Sequence, residues 1–174
     1  PVMTARPNIL RDERGSAAVD MIVVLPIMLM VFIGVVEMTS VLRLDRKVVA
    51  AAQTTADLIT QRREVSTADL NDILRAAELI LEPYPPSGHT VGIVGVEYDE
   101  NDAPQILWSQ SKNGGSVPEA LVVAVGLGTE GEGVVVVRVT YAYTPVFFDF
   151  LISPMTLEET TVLRPRRSAV VEGP

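Results

Sequence analysis

The stretch that decides the fold is residues 16–36, SAAVDMIVVLPIMLMVFIGVV. It holds a single charged residue, Asp20. As an α-helix it would be about 31 Å long, which is close to the hydrocarbon thickness of a bilayer. The sequence therefore predicts one membrane-spanning helix near the N-terminus.

The basic residues around this stretch do not decide its orientation, because three precede it and three follow it: Arg6, Arg11, Arg14, Arg43, Arg46 and Lys47. A long trailing domain is translocated largely regardless of such charges, so we expect a cytoplasmic N-terminus. A cleaved secretory signal peptide is the rival interpretation, but the apolar run is long for one and the helical pattern continues past it. A buried core helix is disfavoured, because a domain this small could hardly cover a helix that is apolar all round.

Helical spacing of apolar residues continues beyond Glu37, and one helix is predicted from Ser16 to about Gln61, roughly 70 Å long. A second helix follows, with Ser66 or Thr67 as its N-cap and a prolyl-rich end. Its predicted apolar stripe is Leu70, Ile73, Leu74, Ala77, Ile80 and Leu81.

From His89 onward the pattern predicts strands at residues 91–98, 105–111, 121–125, 134–143 and 157–163. Short connections favour an antiparallel sheet. Because the helices precede the strands, the predicted class is α+β. We divide the chain into a leader at residues 1–15, a membrane helix with its extension at 16–62, and an α+β domain at 63–174.

Composition excludes several classes of function. The formal net charge of −8 argues against nucleic acid as a partner, since an acidic surface is repelled by phosphates. The absence of cysteine excludes thiolate nucleophiles, thiolate metal sites and disulfides.

Three motifs are better explained as structure than as chemistry. Gly126-Leu-Gly128-Thr-Glu-Gly131 matches G-x-G-x-x-G but precedes a β run instead of a helix, so we predict a hairpin loop. The acidic segment at residues 99–102 is not followed by the glycine at the sixth position and the distal glutamate that an EF-hand loop needs, so we predict a polar turn. His89 is the only histidine, and the chain contains no nucleophile-elbow motif that could form a catalytic site with it. We therefore predict that His89 is a surface-loop residue.

The exception is Asp20, because ionisable residues in membrane helices usually mark a function. A polar leader ending in Arg14-Gly15 precedes it, followed by Ser16-Ala-Ala-Val19 and then the aliphatic run. This arrangement resembles a prepilin-type leader and, more closely, the TadE-like pseudopilins of the Tad (Flp) pilus system. The resemblance includes Val24-Leu25-Pro26 and residues 51–58, AAQTTADL, so it lies mostly in the first 60 residues.

Two residues depart from the family pattern: Asp20 stands where glutamate is usual, and Met21 where an aromatic residue is usual. Related TadG-like proteins keep an uncleaved anchor, so both a processed and an unprocessed protein remain open.

The resemblance implies roles for four residues. Gly15 would be the last residue of a leader that a prepilin peptidase removes, and Ser16 would become the new N-terminus. Its α-ammonium would pair with Asp20 of a neighbouring subunit or of the same chain. Pro26 would introduce a helix kink.

The implied protein is a non-enzymatic minor pilin or assembly component of a Tad/Flp-type pilus, with no cofactor and no metal. Its partners would be other pilus subunits, Tad assembly-platform proteins, the prepilin peptidase and inner-membrane lipid. It would cross the bacterial inner membrane once, with a periplasmic C-terminal domain. The alternative is an unprocessed single-pass scaffold of a secretion or pilus machine. A tethered enzyme or ligand-binding domain would need a pocket of convergent polar groups, which the sequence does not indicate.

Overall fold

The computed structural model describes residues 14–145 and 153–174, with side chains described from Asp20 onward. Most of the predicted leader, residues 1–13, lies outside the described residues. The elements follow in this order: α1 (Arg14–Thr60), α2 (Thr67–Leu81), a 3₁₀ turn (Pro86–Gly88), β1 (His89–Tyr98), β2 (Pro104–Lys112), α3 (Ala120–Ala124), β3 (Gly133–Tyr143) and β4 (Met155–Leu163).

Helix α1 is a single helix of 47 residues, which confirms the long helix predicted from the sequence. It continues through Pro26, whose missing N–H and ring remove one backbone hydrogen bond without ending the helix. Apolar residues at helical spacing along its second half are buried, so packing holds that half in place.

Helix α2 begins with a capping box, and this confirms Ser66 as the N-cap. The Ser66 hydroxyl accepts a hydrogen bond from the Asp69 amide at 3.2 Å, while the Ser66 amide donates to the Asp69 carboxylate at 3.1 Å. These two bonds satisfy amides that a helix start leaves without partners. Of the predicted stripe, all but the half-buried Ile80 are buried.

The four described strands form one antiparallel sheet in the order β2-β1-β3-β4. This confirms the predicted α+β class and antiparallel sheet. Alternate residues of β3 face opposite sides, as the period of a strand requires. Val135, Val137 and Val139 share one core with α1 and α2, whereas Val134 and Val136 pack beneath α3.

The predicted strand at residues 121–125 is wrong, because residues 120–124 form helix α3. Ala120 and Ala124, four residues apart, are both buried against the sheet, while Val122 between them is 73% exposed. A short apolar run carries no period that separates strand from helix, so contact with the sheet decided its conformation. The loop that follows is therefore a helix-to-strand connection and not a hairpin.

In that glycine-rich loop, two backbone amides are hydrogen-bonded to nearby carboxylates. The Glu130 amide donates to Asp102 at 2.9 Å, and the Thr129 amide donates to Glu132 at 3.0 Å. Two amides that a phosphate would need are thus bonded to carboxylates, which also repel anions. The polar turn at Asp99 is confirmed, since its carboxylate accepts from the Asn101 and Ala103 amides.

The C-terminal segment lies along the α1–α2 connection and fixes that end of the domain. The Val65 amide donates to the Glu172 carbonyl at 2.9 Å, and the Trp108 indole donates to the Val171 carbonyl at 2.8 Å. Arg166, in the basic tail, forms an ion pair with Asp57 at 2.6 Å.

The prediction of a surface-loop histidine is wrong: His89 is the first residue of β1 and is only 1% exposed. Neither ring nitrogen has a hydrogen-bond partner among the described residues. The nearest charges are Glu78 of α2, 3.7 Å from Nε2, and Lys112 of β2, which is 2.7 Å from the same Glu78. Burial lowers the pKa of His89, the Glu78 carboxylate opposes that shift, and Lys112 adds to it.

We expect His89 to make the domain less stable in mild acid. Because its folded pKa is lowered, its neutral form contributes fully above the unfolded pKa of about 6.5. That contribution is lost as the pH falls through the folded pKa, since the unfolded chain then binds the proton more readily. Urea unfolding of the detergent-solubilised chain, followed by Trp108 fluorescence, should show stability falling from pH 7.5 to 5.

The matched variant is His89→Phe, which should flatten this pH dependence while leaving other titrating groups in place. An equal slope in both proteins would show that carboxylates alone cause the acid loss.

Candidate functional site: the uncovered half of helix α1

Helix α1 divides into two halves that differ in what covers them. From Met21 to Phe32 every side chain is exposed, and the large apolar ones range from 50% to 71% exposure. Beyond Glu37 one face of the same helix is packed against α2, β3 and β4, with Leu44, Ala51 and Ala52 fully buried. The exposed half is thus as apolar as a core, but no other part of the chain that the structure describes covers it.

This exposed half has the length and composition of a membrane span. Within the described residues, one helix is long and apolar enough to cross a bilayer, and it is this one. Monomeric soluble proteins rarely expose a continuous apolar surface of this extent. The helix is therefore suited to lipid or to other apolar helices.

The sequence-predicted site residues all lie in the N-terminal half of α1, in or just before its exposed stretch. Gly15 and Ser16 fall in the first turn of α1, although the side chains of residues 14–19 lie outside the described ones. Asp20 is exposed and lies one helical turn after Ser16. Pro26 lies within the helix, and its proposed kink stays a prediction.

The structure adds a residue that the sequence reasoning did not single out, Glu37. It is only 3% exposed and is the first fully buried residue of α1 among those described. The Tyr143 hydroxyl, at the end of β3, donates a hydrogen bond to the Glu37 carboxylate at 2.5 Å. Burial raises the pKa of Tyr143, and the bond to Glu37 raises it further, so the hydroxyl keeps its proton. The sequence does show an acid at the end of an apolar run, which could have drawn attention to Glu37. Its tyrosine partner could not be found in this way, because it is 106 residues further along the chain.

Further polar contacts hold α1 beside the domain just above Glu37. The Tyr84 hydroxyl donates to the Ser40 carbonyl at 3.3 Å, and Lys47 donates to the Ile80 carbonyl at 2.9 Å. The Tyr84 ring also meets the Tyr141 ring edge-on, with their centroids 6.0 Å apart. These contacts tie α1 to the C-terminal end of α2 and to the chain that follows it.

Comparison with known families bears on this helix. Residues 15–57 match the family model described as TadE-like protein. The N-terminal helix of this chain is a TadE-like domain. The match starts at Gly15, spans the exposed half with Asp20 and Pro26, and continues past Glu37 into the packed half. No curated protein and no solved structure matches the chain.

The TadE-like family is a pilus-related family of structural and assembly proteins, and the similarity of this chain to it lies in residues 15–57. Among the described residues, the one helix with the length and composition to cross a membrane is the helix that carries this match. The sheet and α2 lie outside the matched residues, so what they contribute has to be argued from their contacts.

We expect Tyr143→Phe to destabilise the domain by about 1–3 kcal/mol, because it takes a hydrogen-bond donor away from a buried acid. Tyr84→Phe is the matched control. The Tyr84 hydroxyl makes a longer hydrogen bond, to a backbone carbonyl at a partly buried site, and we expect the loss of that bond to lower the free energy of unfolding by about 1 kcal/mol or less. Urea unfolding in detergent, read from Trp108 fluorescence, measures both. Equal losses would mean that Glu37 does not depend on Tyr143.

Proposed function

We propose that this protein is a minor pilin-like subunit of a Tad pilus, anchored in the bacterial inner membrane by the exposed half of α1. The observation that carries the proposal is that Gly15 and Asp20 lie at the start of an apolar helix whose side chains from Met21 to Phe32 are left exposed by the described part of the domain. In this proposal residues 16–62 are the anchor and its extension, and residues 63–174 form the domain outside the membrane.

The proposed orientation puts the domain in the periplasm. A long C-terminal domain is translocated largely regardless of the charges that flank a membrane helix. The N-terminal leader would then remain on the cytoplasmic side. This is the side on which the proposed prepilin peptidase would cleave it.

Cleavage between Gly15 and Ser16 would create a positive charge at the start of the apolar helix. The new α-ammonium would lie one turn from Asp20 of its own chain and within reach of Asp20 in a packed neighbour. Two opposite charges 4 Å apart attract by about 4 kcal/mol at an effective dielectric constant of about 20. Such a pair would favour one register between neighbouring helices, because any other register leaves both charges poorly solvated.

The alternative is a scaffold that keeps residues 1–15 and stays in the membrane. Asp20 would then lie at headgroup depth as an interfacial charge. The two functions share the anchor and differ in cleavage, so processing is the property to measure.

Processing is tested by intact mass spectrometry of the membrane-extracted protein from cells with and without the prepilin peptidase. We expect a chain that begins at Ser16 only when the peptidase is present. Gly15→Val should abolish that shortening, because a branched side chain replaces the residue at the scissile bond. Ala18→Val is the control and should be processed normally. A full-length chain in both strains would favour the scaffold.

Assembly is tested by cross-linking of subunits in membranes and by their recovery in sheared pili. Asp20→Asn keeps the shape but removes the charge, and we expect at least about tenfold less assembled protein, since tenfold corresponds to about 1.4 kcal/mol. Asp20→Glu should restore assembly. If the asparagine variant is processed and assembles as the parent does, Asp20 has no role in packing.

A further inference from the structure

The sheet has two outer strands, β2 and β4, and they run in opposite directions. Each neighbouring pair in the order β2-β1-β3-β4 is antiparallel, so β2 runs with β3 and β4 runs with β1. Among the described residues, no other strand pairs with the outer edge of β2 or of β4. Such an edge presents amide and carbonyl groups to which another strand can hydrogen-bond.

Helix α1 runs along the strands, and this relates the direction of both edges to the anchor. Glu37 of α1 lies beside Tyr143 at the end of β3, and the Thr60 carbonyl at the end of α1 accepts from the Arg166 amide after β4. Helix α1 and β4 therefore run in the same direction. When two copies have their anchors in the same membrane, β2 of one is antiparallel to β4 of the next. An antiparallel pair of two β2 strands would need anchors that point in opposite directions.

The second half of β2, residues 108–112, is open to a further strand. Pro104 and an extra residue at Leu107 interrupt the first half of the edge, and both features discourage pairing. In the second half the strand is regular, and Ser109 and Ser111 are exposed. A partner strand would therefore pair with this half.

The backbone groups that point away from the sheet belong to alternate residues. The Tyr98 amide donates to the Glu132 carbonyl, so even-numbered residues of β1 bond to β3 and odd-numbered ones to β2. By the same alternation across the sheet, outward groups belong to Ser109, Ser111, Thr160 and Val162. All four side chains lie on the face of the sheet that carries α3. An antiparallel pair requires this match, because residues directly opposite each other share one face.

The two edges also match in height above the membrane. Rows of paired residues cross the sheet, and one row consists of Lys112, Val91, Val139 and Glu159. Because the same apolar stretch anchors every copy at the same depth, Lys112 of one copy would lie opposite Glu159 of the next. Opposite charges at such positions stabilise a strand pair. The Lys112 ammonium lies 2.7 Å from Glu78 in its own chain and has further N–H donors for a second acid.

The helices on the other face leave room for a neighbouring copy. Helix α1 packs against β3 and β4, and α2 lies beside β2, to which the ion pair of Glu78 with Lys112 joins it. Two helices side by side cover about 20 Å, and four strands cover about 19 Å. Copies joined edge to edge can therefore place their helices next to one another without overlap.

We propose that this protein associates with further copies of itself through its sheet edges, with β2 of one copy pairing with β4 of the next. Residues 108–112 pair with residues 159–163 in antiparallel order, and Lys112 forms an ion pair with Glu159. Every copy in a row keeps a free edge for the next, so the contact is heterologous and builds open rows. Copies related by rotation about the membrane normal keep one strand tilt to that axis, as in the wall of a barrel. This inference rests on the proposed membrane anchor, which gives all copies one orientation, and it adds a contact outside the membrane.

The chain contains no cysteine, so a pair of introduced cysteines can test this contact. Ser111→Cys and Thr160→Cys are combined in the full-length chain, and isolated membranes are oxidised with copper phenanthroline. Within one chain the two positions are three strand spacings apart, about 14 Å, which is too far for a disulfide. In the proposed pairing their Cα atoms are about 5.5 Å apart, which permits one. We expect dimers, trimers and larger species on a non-reducing gel.

Two controls separate this pairing from other contacts between copies. Ser111→Cys with Thr156→Cys keeps the same edge but lies four residues out of register, and we expect at least about fivefold less cross-linked product. Ser111→Cys alone should stay monomeric. As much dimer from this single variant as from the matched pair would mean that β2 meets β2, which overturns the proposal.

Carbonate extraction of the same membranes separates failure of the pairing from failure of the anchor. If the chain resists extraction and the matched pair gives no more product than the out-of-register pair, the edge contact is wrong and the anchor stands. If carbonate releases the chain, the anchor fails and this inference fails with it.

The ion pair has its own readout in the cross-linking assay. Lys112→Glu should lower the yield of the matched pair at least about threefold, because it places two acids opposite each other. Glu159→Lys in the same chain should restore the yield. This second change cannot repair the contact with Glu78 inside the chain, so recovery reports the pairing between copies. Equal yields in all three proteins would overturn the ion pair and its register. Trp108 fluorescence confirms in each case that the domain remains folded.

Discussion

Helix α1 has to satisfy two different surroundings along one uninterrupted backbone, and the arrangement of the domain depends on where the change occurs. From Met21 to Phe32 its side chains are exposed, and beyond Glu37 one face is buried against the rest of the domain. The fully buried Ala51, Ala52 and Ala56 let the helix backbone approach its neighbours closely. Because burial of apolar area dominates folding, this face fixes where α2 and the sheet must lie.

A buried acid, Glu37, marks where the packed face of α1 begins. A carboxylate out of water is costly unless it is hydrogen-bonded, and the Tyr143 hydroxyl supplies such a bond to Glu37. Tyr143 is also the last residue of β3, one of the two central strands, so the bond joins the helix to the middle of the sheet. The same contact marks the place on α1 where the packed face begins. In the pilin-like subunit that we propose, this junction would leave exposed the surface of α1 that contacts other subunits or lipids.

Sequence reasoning succeeded where the signal is local. The long helix, the Ser66 cap, the hairpin of β1 and β2 and the polar turn at Asp99 each depend on residues within a few positions of one another. It failed at residues 121–125 and at His89, where burial decided the outcome. A five-residue apolar run suits a strand or a helix equally, and a histidine after a prolyl-rich turn suits a surface loop until neighbouring elements cover it. The exposed half of α1 and the positions of Gly15, Asp20 and Pro26 came from the sequence, whereas Glu37 and Tyr143 were found only in the fold.

The sequence by itself determined that this chain has one apolar helix long enough for a bilayer, an α+β domain after it, and a TadE-like start. These properties follow from residue type and short-range periodicity, so the order of residues along the chain is enough to predict them. The tertiary structure decided which face of α1 is packed beyond Glu37, which acid is buried where that packing begins, and which end of the sheet lies beside that acid. Those depend on contacts between residues as far apart as Glu37 and Tyr143, which only the packing of the whole domain brings together.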